Sequence, residues 1–153
     1  MVDTINELSN LASKLNQKSD TLNKTIEGIE AKLNKLNLGV ETWLESYDRH
    51  TVVVGDPTYD EAKGVTSRDE TFLGFARFED GWHLAIKDTV AEKNADGDFL
   101  MADVVLVRPL LTAPRNVRIK AMELIPTLLD AIKVEAESLL KAIDAAEEAA
   151  KKL

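Results

Sequence analysis

The sequence predicts an α+β fold, and three patterns carry that expectation. Residues 1–37 repeat apolar positions at steps of three and four, residues 115–153 do the same, and the stretch between them has a period of two. The first pattern runs Ile5, Leu8, Ala12, Leu15, Ser19, Leu22, Ile26, Ile29, Leu33 and Leu36, which is a coiled-coil seam. Asn37 and Gly39 follow it, and both residue types tolerate the left-handed backbone that ends helices. A helix over residues 3–36 would be roughly 50 Å long at 1.5 Å per residue.

In the middle, β-branched and aromatic residues are enriched over 40–47, 51–54, 71–78, 82–90 and 99–107. These segments predict an antiparallel meander of about five strands. Glu79, Asp80 and Gly81 read as a three-residue hairpin loop with glycine at its left-handed position. That loop pairs Phe78 with Trp82, Ala76 with Leu84 and Gly74 with Ile86, leaving Arg77, His83 and Lys87 on the second face. Leu73 and Phe75 then share the second face, where an uncovered apolar pair would mark an interface. Val104, Val105, Leu106 and Val107 do not alternate, so they predict a central strand covered on both sides. Residues 55–70 have no apolar period and read as a long loop.

The last pattern places Ala121, Ile125, Leu128, Ile132, Ala136, Leu139, Ile143, Ala146 and Ala150 on one stripe. Met122, Leu129 and Leu140 form a second stripe beside it, expected to pack against the sheet. Pro126 lacks the amide that would bond back to Met122, so a kink or restart is expected near Ile125. The two long helices are expected to pair antiparallel, with Ile5 facing Ala150, Leu22 facing Ile132 and Leu33 facing Ala121. The organisation is then an N-terminal helix (1–37), an acidic β domain (38–114) and a C-terminal helix (115–153), built as one structural unit. With the stalk satisfied internally, Leu73, Phe75, Met122, Leu129 and Leu140 are the candidate interaction residues.

The charge is placed unevenly. The formal net charge is −8, and residues 38–114 hold fifteen acids against seven bases while both ends are balanced. A phosphate-backbone footprint needs clustered Lys and Arg, so nucleic acid is excluded and a protein partner with a basic surface is favoured. No cysteine is present, which removes disulfides, thiolate nucleophiles and Cys-ligated metals. The first residues lack a basic stretch followed by an apolar one, and no segment is apolar enough to span a membrane. A cytoplasmic location without membrane attachment is expected.

Few residues suggest catalysis. Only His50 and His83 titrate near neutrality without a large shift. The nucleophile-elbow, phosphate-loop and dinucleotide motifs do not occur. A hydrolase would have to use His50 with Asp56, Asp60 or Glu61. Glu92, Asn94, Asp96, Asp98 and Asp103 can be laid on the calcium-loop pattern with Gly97 at the sharp turn. Glu stands at its first place and Asp at its last, and the flanks read as strands, so a plain turn at Asp96 and Gly97 is the preferred reading. No catalytic residue, metal or cofactor is therefore expected. The sequence favours a non-enzymatic protein–protein interaction or assembly module, an acidic β domain on a helical stalk, with a homodimer as one arrangement of it. A divalent-cation-responsive domain and a hydrolase built on His50 are the alternatives.

Overall fold

The computed structural model describes residues 2–45, 52–60, 65–92 and 103–153. The described residues form a long N-terminal helix, an open antiparallel sheet of five strands and a long C-terminal helix, in that order along the chain, an α+β architecture. The chain divides into two compact units, Met1–Asn37 and Leu38–Leu153. The division falls at the first of the two boundaries read from the sequence. Pro114, the second boundary, is where a helix begins rather than where a unit ends.

The first unit is one helix, α1 (Val2–Leu36). Asp3 in its first turn and Lys35 in its last complement the helix dipole. Asn37 and Gly39 end it at φ 51° and 61°, and the Asn37 amide donates to the Asn34 carbonyl at 3.1 Å. Of the expected seam, Ile26 and Leu33 are buried, whereas Ile5, Leu8 and Leu15 are exposed.

The second unit holds β1 (Thr42–Trp43), β2 (Val52–Asp60), β3 (Val65–Phe78), β4 (Gly81–Glu92), β5 (Asp103–Pro109), a short 3-10 turn (Leu110–Thr112) and α2 (Arg115–Lys151). Strands β2 to β5 form a meander. The 14-residue β3 carries β1 and β2 in succession along one edge and β4 along the other. Residues 55–60 and 65–70 are paired antiparallel strands rather than parts of the expected loop, with Gly55 opposite Glu70 and Asp60 opposite Val65. No apolar alternation marks that pair, so periodicity passes over it. Pro57 lies in β2, which pairs with β3 alone among the described residues, as suits a residue without a backbone N–H.

The central hairpin differs from expectation by one residue. Phe78 pairs with Gly81, so the loop is Glu79 and Asp80 only, and the positive φ (129°) falls on Gly81. This register places Phe75 opposite Leu84 and Leu73 opposite Ile86. All four are buried. A slip of one residue exchanges the faces of a strand, and in this register Leu73, Phe75, Leu84 and Ile86 share one face while Phe72, Ala76 and Ala85, buried as well, share the other. Full burial of each Leu, Ile or Phe side chain contributes roughly 1.5–3 kcal/mol. Phe75 also stacks on Trp82, with ring centroids 5.3 Å apart.

Helix α2 meets β1, β2 and β3 and buries Val117, Ala121, Leu124, Ile125, Leu128 and Ile132. Its buried face therefore widens through Val117 and Leu124, and the expected widening through Met122, Leu129 and Leu140 does not occur. Beyond Ile132 the stripe residues Leu139 and Ile143 are exposed. The helix continues through Pro126 without a restart. Pro126 is exposed, so its ring and the unbonded Met122 carbonyl can both face water.

Candidate interaction surface

Strand β5 is the terminal strand of the sheet, paired with β4 and with nothing beyond it among the described residues. It is the opposite of the covered central strand expected from its composition. Val104, Val105, Leu106 and Val107 are 55, 64, 46 and 38% exposed. Such a strand presents apolar side chains together with a row of backbone N–H and C=O groups free to pair, a ready template for another strand. The ladder to β4 matches Arg108 with Ile86, Val107 with Lys87 and Leu106 with Asp88. It then shifts, matching Val104 with Thr89 and Asp103 with Val90. Val105 is the extra residue, which makes a β-bulge.

Charges bracket this apolar row. Asp103 begins the strand and is exposed. Arg108, near its end, lies 3.8 Å from Asp88 (Nη2 to Oδ2), and Asp88 also accepts a 2.6 Å hydrogen bond from the Thr71 hydroxyl. A short polar chain across β3, β4 and β5 thus holds the Arg108 side chain on the face it shares with Ile86.

On the other edge of β3, Trp43 lies across Gly74. A Cβ at Gly74 would sit 2.2 Å from Trp43 Cε3 and 2.7 Å from the Thr42 carbonyl oxygen, so only glycine fits. Lys87 Nζ stands 4.3 Å from the Trp43 ring centroid and pairs with the Glu45 carboxylate, while Trp43 Nε1 donates to Glu41 at 3.2 Å. This cation–π and ion-pair cluster is satisfied within itself, which marks it as part of the fold.

The residues singled out from the sequence are scattered. Leu73 and Phe75 are core side chains enclosed by the register described above, so they offer no surface. Met122 is half-buried, and Leu129 and Leu140 are exposed on α2. Glu92 ends β4 and Asp103 begins β5, so they flank the connection between those strands. Asn94, Asp96 and Asp98 lie outside the described residues, as do His50 and Glu61. Among the described residues no group of three His, Asp or Glu could hold a metal ion. His83 Nε2 lies 2.9 Å from Asp80 Oδ1, and its ring meets Phe78 edge-on at 5.7 Å. No described helix is long and apolar enough to cross a membrane. The β5 edge was visible in the sequence as Val104–Val107, but periodicity reports that both faces are apolar and not which neighbour covers them.

Compared with protein-family models, curated proteins and solved structures, the chain matches none.

Proposed function

We propose that the protein is a non-enzymatic interaction and assembly module whose acidic β domain engages a protein partner. The observation that carries this reading is the β5 edge, where four consecutive apolar residues are exposed on a strand that pairs with β4 alone among the described residues. Single exposed apolar residues are ordinary, whereas a contiguous row on an open sheet edge is a liability that proteins blunt with charge, proline or a covering element unless the edge is used. The fifteen acids against seven bases of residues 38–114 support a basic surface on a protein that docks on the acidic segment. They also disfavour nucleic acid as the ligand, through repulsion by phosphate.

The test is a photo-cross-linking residue placed at position 105 of the full chain in cells. A cross-linked product is expected there and not from position 79, which is exposed at the tip of the central hairpin. Absence of any product from position 105 would overturn the reading.

A further inference from the structure

We infer that the occupant of the β5 edge is β5 of a second copy of the chain, paired antiparallel about a two-fold axis between Val105 and Leu106. The inference rests on the reading of that edge as an interface and names what fills it. Its basis is a self-complementarity that the bulge creates. On β4 the residues Ile86, Asp88 and Val90 share one face, because side chains alternate along a strand. Their partners Arg108, Leu106 and Asp103 share that face too, and Val107 and Val104 share the other with Lys87 and Thr89.

Asp103 and Arg108 are five residues apart, so in a regular strand they would point to opposite faces. The extra residue Val105 resets the alternation and brings both to one face. A two-fold axis normal to the sheet then sets Asp103 of each copy opposite Arg108 of the other, and Val104 opposite Val107. Hydrogen bonding agrees with this register. Directly opposed residues in an antiparallel ladder must both belong to the bonded phase or both to the non-bonded one, and the bulge puts Asp103 with Arg108 in one phase and Val104 with Val107 in the other. Opposite charges thus bracket the apolar row at both ends in a register the backbone permits. Pairing converts β5 into the central, doubly flanked strand that its composition describes.

The purified full chain should sediment at twice the monomer mass at about 100 µM, where an association of micromolar Kd is largely complete. Val105→Lys, at an exposed position, should return it to monomer with unchanged circular dichroism and a melting temperature that no longer rises with protein concentration. The register is tested with cysteine pairs, since the chain has none of its own. An equimolar mixture of Asp103→Cys and Arg108→Cys chains should form a disulfide-linked dimer on mild oxidation, and neither variant alone should. Opposed cross-strand Cβ atoms lie within about 5.5 Å, close enough for the bond to form. A monomer at 100 µM, a dimer that survives Val105→Lys, or cross-linking no greater in the mixture than in each variant alone would overturn the inference. If the purified chain is monomeric while position 105 still cross-links to a different protein in cells, self-pairing is wrong and the interaction reading stands. If neither occurs, both fall.

Discussion

Gly74 shows how one atom can fix an arrangement. Its missing side chain admits the Trp43 indole, which in turn supports the Lys87 ammonium and, through Lys87, the Glu45 carboxylate. Gly74→Ala would place a methyl group against both a side chain and the Thr42 carbonyl, and the backbone contact cannot be relieved by a rotamer change. The expected cost is about 1–3 kcal/mol, the usual range for overpacking a tight site, read from the urea midpoint at unchanged slope. A midpoint within error of the parent chain would show that Trp43 is free to move away. The sequence predicts Gly74 on a core face opposite Ile86; Gly74 is buried, but its cross-strand partner is Ala85, one position away. The alternation of this hairpin is nearly as apolar on one face as on the other, with Phe72 and Phe78 on one and Leu73 and Phe75 on the other. The same slip moved Leu73 and Phe75 from candidate interface to core.

Helices and strands differ in how plainly they can be read. Both helices are visible in the apolar spacing, and the stop at Asn37 and Gly39 is realised in their positive φ angles. Helix α2 runs on through Pro126, as a helix can where the proline ring and the orphaned carbonyl meet solvent. Pro126→Ala restores that hydrogen bond on an exposed surface, and it should raise stability by about 1–3 kcal/mol, as much as or less than the full intrinsic penalty of proline in a helix interior. Thermal or urea unfolding measures it, and a destabilised variant would mean that the helix needs its proline-dependent geometry. The hairpin of β2 and β3 was not legible, because Asp56, Pro57, Arg68, Asp69 and Glu70 supply neither alternation nor apolar enrichment. Its register is held by backbone pairing, to which hydropathy is blind. For the connection between β4 and β5, millimolar calcium should leave the melting temperature unchanged, given the broken ligand pattern at both ends. A rise would restore the cation-responsive alternative, since a ligand that binds only the folded state must stabilise it.

For the whole molecule, the uneven charge makes two kinds of association separable. Capture of a basic partner by the acidic segment should weaken as salt rises from about 50 to about 500 mM, because the Debye length shrinks over that range and screens exposed charges. Self-association through Val104–Val107 should persist, since apolar burial is not screened and the two bracketing ion pairs lie at the rim, where such pairs are worth about 0–1 kcal/mol. Equilibrium binding and sedimentation at both salt concentrations check this, and a dimer that dissolves at high salt would assign its strength to charge instead. The sheet is also unequal at its two sides. Among the described residues one side ends in β5, and the other ends in part in β2, which contains Pro57, a residue without a donor. In the language of step-growth polymerisation, a unit with one reactive end can only couple once, whereas a unit with two grows into chains. With pairing through β5 alone, as proposed, the protein is monofunctional. On the proposed pairing, raising its concentration should therefore add to the number of pairs and not to their length, and sedimenting species larger than two copies would show that a second edge also couples.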